Sequence, residues 1–168
     1  MIGEHFGKYR GTVALNVDPQ QMGRIQAIVP DATGLIPSTW ALPCVPFAGK
    51  QSGVFVVPAI GSAVWIEYEQ GDLDYPIWTG GFWGSAAEIP AIALAGNPLS
   101  PSIVLQTGLG NSITLSDLPG PAGGIQIRSA GGASILINET GITITNAAAS
   151  ILLAGPTVTI NNGALAVT

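Results

Sequence analysis

The chain has 168 residues, of which 23 are glycine, 13 are proline and only 9 % are charged, beside a hydrophobic fraction of 47 %. That is too apolar for a disordered protein, and long enough for one ordinary domain or for a small domain with an extended appendage. Five scattered Lys and Arg and a net charge of −5 supply no cationic patch to exchange for phosphate counterions, which argues against nucleic acid.

The first residues, MIGEHFGKYRG, contain no apolar h-region, and no run of 18 apolar residues occurs anywhere, so neither a secretory leader nor a membrane span is expected. A single cysteine, Cys44, excludes an intrachain disulfide and reads as a buried free thiol.

Residues 1–84 read as short strands separated by turn residues. Segments bounded by turn residues predict strands at Tyr9–Asn16, Arg24–Val29, Trp40–Pro43, Gly53–Val57, Ala63–Glu69 and Ile77–Trp83. Turn chemistry falls between them, at Asp18, Pro19 and Gly23, at Pro30, Asp31 and Gly34, and at Gly71 and Asp72. Five or six strands in about 80 residues predict a small barrel, for which the OB-fold is the commonest solution. Residues 85–101, SAAEIPAIALAGNPLSP, form a neck: Pro90, Pro98 and Pro101 exclude a helix of normal length.

From residue 102 to 168 a loose repeat takes over. Aliphatic pairs separated by one residue recur at Ile103 and Leu105, Ile113 and Leu115, Ile125 and Ile127, Ile135 and Ile137, Ile142 and Ile144, Ile151 and Leu153, Val158 and Ile160, and Leu165 and Val167. Gly, Asn, Ser and Pro fill the corners, a pattern that predicts a β-helix or β-prism. After Glu88 the remaining residues carry only Asp117, Arg128 and Glu139 as charges. A surface so poor in charge does not stay monomeric in water. Burying these sixteen aliphatics inside one thin coil falls short of the entropy lost in ordering its backbone. The deficit closes if three copies wind together, with the pairs meeting on a shared axis and neighbouring chains contributing strand partners. Eight strands at about 4.8 Å would stack into a rod roughly 38 Å long. The expected fold is therefore all-β, an N-terminal OB-fold (1–84), a neck (85–101) and an intertwined, trimeric triple-stranded β-helix (102–168).

No catalytic, cofactor or metal site emerges. Glu67, Glu69, Asp72 and Asp74 crowd four carboxylates into eight residues, but GDLD lacks the further oxygens of a Ca²⁺ loop, and a solvated hairpin explains them. Trp65, Trp78, Trp83, Tyr68, Tyr75 and Phe82 could stack bases on an OB-fold, yet without cations they read as core and as contacts between barrels. No GxSxG is present and the lone histidine is His5, so no hydrolytic triad can be assembled. Asn138, Asn146, Asn161 and Asn162 fall at repeat corners, where tolerance of left-handed backbone accounts for them. A carbohydrate-binding, adhesin-like β-solenoid and an OB-fold nucleic-acid module stand as alternatives.

The stretches YRGTVALNVDPQQMGRIQAIVPD (9–31), WALPCVPFAG (40–49) and VWIEYEQGDLDYPIWTGGFWG (64–84) resemble the OB-fold domain of baseplate spike proteins. These are the phage baseplate assembly protein V family and the related spikes of type VI secretion and contractile injection systems. The motifs are DPxxxGR leading into a strand, then an aromatic strand, GD, a proline and a Trp-rich closing strand. The resemblance implies a homotrimeric needle in a virion tail baseplate or injection particle, made in the bacterial cytoplasm. It implies a hub partner on the N-terminal side, a target envelope pierced on sheath contraction, and no enzymatic role. Some relatives insert a lysozyme domain, where this chain has only the neck. Others end in a histidine-ligated metal tip, whereas the only histidine here is at position 5. The C-terminal Leu165, Ala166, Val167 and Thr168 are therefore expected to form a blunt platform for a separate PAAR-like tip protein.

Overall fold

Alternation of small or apolar residues with polar ones sets the first strand of the chain, β1 (Tyr9–Leu15), in which Gly11 and Val13 face inward. A computed structural model describes residues 4–167, and the side chains of all of these except 163, 166 and 167. The chain divides into two units, Met1–Ala86 and Ala87–Thr168.

The first unit continues with β2 (Gln26–Ile28), β3 (Leu42–Pro43), β4 (Ala48–Gly49), β5 (Ser52–Gly53), β6 (Ala63–Tyr68) and β7 (Pro76–Gly81). A five-stranded sheet runs in the order β2-β1-β6-β7-β3, with β3 parallel to β7 and every other pairing antiparallel. Its two outer strands are joined as well. Ile25 and Ala41 exchange both backbone hydrogen bonds, at 3.2 and 2.7 Å, and Ser38 N–H donates to the Ala27 carbonyl at 2.8 Å. The sheet thus curls into the closed strand order of an OB barrel. Val13, Ile25, Ala27, Val29, Ala41, Val64, Ile66, Tyr68 and Trp78 fill it.

The loop DPQQMGR is locked by its first residue. The Asp18 carboxylate accepts the backbone N–H groups of Gln20 (2.9 Å), Met22 (2.8 Å) and Arg24 (3.3 Å). It also accepts the Arg24 guanidinium through Nε and Nη2, the latter at 2.6 Å. Arg24 stacks over Trp40 at 5.5 Å, and the Trp78 indole N–H donates to the Gly23 carbonyl at 3.1 Å. Arg24 first, then the backbone donors, hold the Asp18 carboxyl well below the usual carboxylate range, although burial pulls the other way. Because the folded value is the lower one, this clasp contributes its stability above pH 3.8, the ordinary value, and loses it as pH falls from there. Asp18→Asn is expected to melt at lower temperature than the wild type at pH 7. The gap should narrow steadily below about pH 4, as read by tryptophan fluorescence. All four tryptophans, at positions 40, 65, 78 and 83, lie in this unit, so that signal reports the barrel alone.

Two expectations fail in this unit. The strand expected at Gly53–Val57 is absent: a short hairpin, Ala48 opposite Gly53 and Gly49 opposite Ser52, stands there, and residues 54–57 leave the ladder. The run Val54–Val57 is apolar throughout, but no strand of the barrel is left to pair with that segment, and Phe55 and Val56 are exposed instead. Cys44 is also exposed rather than buried. It follows a two-residue strand, and only its backbone is tied in, donating to the Trp78 carbonyl at 2.9 Å.

The second unit opens with a single helical turn, Ala91–Leu94, inside the expected neck. It continues as β8 (Ile103–Gln106), β9 (Ser112–Ser116), β10 (Gly124–Arg128), β11 (Ser134–Asn138), β12 (Gly141–Asn146), β13 (Ala149–Ala154), β14 (Thr157–Ile160) and β15 (Leu165–Val167). These eight strands form one antiparallel sheet in strict sequence order. Neighbouring chains were expected to contribute backbone partners, but consecutive strands of the same chain make the ladder. What a single chain leaves unmet is the apolar face of that sheet, not its hydrogen bonds.

The corners are stitched to one another. Asn111 Oδ1 accepts Ala130 N–H and Asn161 Oδ1 accepts Ser150 N–H, both at 3.0 Å. On the other edge Glu139 Oε2 accepts Gly120 N–H at 3.0 Å, and Asn138 Nδ2 donates to the Pro121 carbonyl at 3.2 Å. Each bond ties a turn to one two strands away, stiffening the stack. Of the corner asparagines, Asn161 and Asn162 are left-handed, with φ of 50° and 55°. Beside Asn146 it is Ala147 that takes the left-handed position, at φ 51°. Asn138 instead accepts N–H and O–H of Thr140 at 2.9 and 2.6 Å.

Candidate functional site

In an antiparallel pair, residues directly opposite one another lie on the same face of the sheet. The register of β8 to β15 applies that rule to every aliphatic pair of the repeat. Ile103, Leu115, Ile125, Ile137, Ile142, Leu153, Val158 and Val167 stand opposite one another from strand to strand, forming one column. Leu105, Ile113, Ile127, Ile135, Ile144, Ile151, Ile160 and Leu165 form a second. Both run through all eight strands without a polar interruption.

The opposite face carries Val104, Thr114, Gln126, Leu136, Thr143, Leu152 and Thr159 along its midline. Serines and threonines flank them, including the 2.9 Å hydroxyl contact between Ser134 and Thr145. Accessibility is the reverse of what composition would dictate for a monomer. Ser112 and Thr114 on the polar face are buried, whereas Ile113, Leu115, Ile125 and Ile127 on the apolar face are 41–48 % exposed. Ile103 and Leu105 reach 65 % and 66 %. An apolar face of this extent marks an interaction surface.

Two residues that the sequence reading missed hold this register. Gly124 (φ +102°) and Gly141 (φ +134°) open β10 and β12. A Cβ at either would collide with a carbonyl oxygen of the next strand, that of Ile137 and that of Leu153 respectively. The signal available was a glycine one residue before an aliphatic pair, in GIQI and GITI.

The other candidates do not converge. Glu67 pairs with Lys8 on the barrel's outer surface. Glu69 falls just beyond the strand predicted to end with it, because β6 ends at Tyr68 and Glu69 enters a helical turn. Asp72 Oδ1 accepts Asp74 N–H at 3.0 Å, closing the hairpin. Among the described residues no three of His, Cys, Asp and Glu are grouped to hold a metal ion. Tyr68 and Trp78 are core residues, while Tyr75 and Trp83 are exposed. Trp65 and Phe82 stack outside the barrel at 4.6 Å, and Arg10 lies over both rings at 5.7 and 5.3 Å. The His5 ring sits 6.1 Å from those of Tyr9 and Tyr68. Of the expected tip platform, Leu165 is exposed; Thr168 and the side chains of Ala166 and Val167 lie outside the described residues. No helix among the described residues is long and apolar enough to cross a membrane.

A closed five-stranded barrel, and after it in the chain a sheet with one continuous apolar face, define the class: an all-β protein that leaves an apolar sheet face open. Residues 9–83 match the type VI secretion system/phage-baseplate injector OB domain, and residues 102–166 match the phage baseplate V C-terminal trimerisation domain. No curated protein matches the chain. The chain belongs to the family of phage-baseplate and type VI secretion spike proteins, structural components of the baseplate, and its C-terminal domain is one that forms homo-oligomers.

Proposed function

We propose that the chain is the central spike of a contractile tail baseplate or injection system, a homotrimeric needle that caps the tail tube through a hub protein and pierces the target envelope on sheath contraction. The carrying observation is the pair of unbroken aliphatic columns, open in one chain and of one composition from end to end. Three such sheets facing a common axis bury the columns against their own copies, and all sixteen residues become trimer core. The ladder within each sheet then runs along the needle axis, and the stitched corners resist shear between layers. The reading assigns the barrel to residues 1–84, the neck to 85–101 and the needle to 102–168. The exposed last strand, at Leu165, begins a platform for a separate tip protein.

Driving a rod through a membrane demands stiffness rather than a reactive group, and a dry apolar axis with few charges provides it. The test is cryo-electron microscopy of assembled particles carrying a small tag at the chain's C-terminus. Density for the tag on the central axis at the membrane-facing end is expected; density on the sheath or on a peripheral fibre would overturn the assignment. As a control on the faces, Thr143→Ser, on the polar side, should leave assembly and melting unchanged within about 0.5 kcal/mol, measured by thermal unfolding of the purified protein.

A further inference from the structure

The barrel carries an exposed apolar surface outside its own core. Residues 44–60, CVPFAGKQSGVFVVPAI, include one charge, Lys50. The β4–β5 hairpin lifts this segment off the barrel, leaving Phe47, Phe55 and Val56 at 59 %, 72 % and 64 % exposure. Between hairpin and barrel lies an apolar groove lined by Cys44, Val45, Val54, Val56, Pro58 and Trp78. Its wall is fixed, because Cys44 N–H donates to the Trp78 carbonyl and Val54 N–H to the Phe47 carbonyl.

We propose that this groove is a docking surface for the neighbouring barrel of the same trimer, a heterologous contact repeated around the three-fold axis. The inference rests on trimerisation through residues 102–166. Each barrel is covalently continuous with that domain through a neck of fewer than twenty residues. Joining the C-terminal sheets therefore holds three barrels together at an effective concentration in the millimolar range. A spike must also exist in water before it meets any hub, and three open grooves flanked by exposed phenylalanines would make that species aggregate. The next copy's barrel, tethered in the same trimer, is the partner present whenever the spike is assembled. Three-fold symmetry lets one patch meet a different patch on the neighbour and still close the ring.

Cys44, the only cysteine, sits in the groove as a native reporter. The experiment compares its rate of reaction with a thiol reagent in the full-length trimer, in a full-length Ile144→Asp chain prevented from associating, and in a full-length Val56→Asp trimer. Sedimentation is run on each sample. Modification in the wild-type trimer is expected to be slower than in the dissociated chain by on the order of tenfold or more. Val56→Asp should remain trimeric and recover the fast rate. Equal rates in trimer and dissociated chain, or a Val56→Asp trimer as protected as the wild type, would overturn the proposal and leave the groove to a hub protein. A wild-type chain that sediments as a monomer would instead remove the trimer reading itself, which separates the two failures.

Discussion

Ile144→Asp is expected to abolish trimer assembly. Ile144 stands midway along the second column, opposite Ile135 on one side and Ile151 on the other. Its removal forfeits about 1.5–3 kcal/mol of apolar burial per chain. The larger effect is electrostatic: three carboxylates, one per chain, would be carried into an apolar axis with no cation near. Arg128, the one basic residue of the C-terminal unit, extends from the polar face. An unpaired buried charge costs several kcal/mol after relaxation, and here three copies repel one another besides. Sedimentation should give a monomer at neutral pH. Burial would raise the carboxyl pKa in any assembled form, so association should return partly as the pH is lowered into the acid range. A variant that trimerised as well as the wild type at pH 7 would show that the columns do not face the axis.

Gly141→Val should be nearly as damaging by a different route. The residue sits at φ +134°, a conformation that a β-branched side chain does not adopt, and its Cβ would collide with the Leu153 carbonyl oxygen, part of the neighbouring strand's backbone. Strain and forced displacement together should cost on the order of 2–6 kcal/mol per chain. The loss is local to β12 and β13, so circular dichroism should report an earlier melting of the C-terminal sheet while tryptophan fluorescence, which reads only the barrel, keeps its own midpoint. Coincident early melting of both signals would mean that the units unfold together.

The apolar face was legible in the sequence because an aliphatic pair returns at a period of two in every strand of the repeat. The pairing was legible only in part. An aliphatic pair repeated at intervals of 7 to 12 residues fixes which residues share a face, and says nothing about whether the adjoining strand comes from the same chain. Turn lengths decide that. Thr140 and Pro156 lie in loops only two residues long, between β11 and β12 and between β13 and β14, and such loops return the chain directly beside itself. In the barrel, the strands at Tyr9, Ala63 and Ile77 stood out between their flanking turn residues. The run at 54–57, VFVV, is apolar at every position and formed none, since pairing depends on a free partner edge, a tertiary property. Asp18 and Arg24 were visible as a motif, but their role as a clasp depends on six residues of loop geometry that composition does not encode. The same limit applies to Cys44, whose exposure follows from where a two-residue strand stops.

The account rests on the two aliphatic columns being covered by two further copies of the chain. Sedimentation equilibrium of the full-length protein at micromolar concentration tests this most directly. The account predicts one species of about 51 kDa, three chains of 17.0 kDa. A stable, folded species of 17.0 kDa with the same β-sheet signal would contradict it.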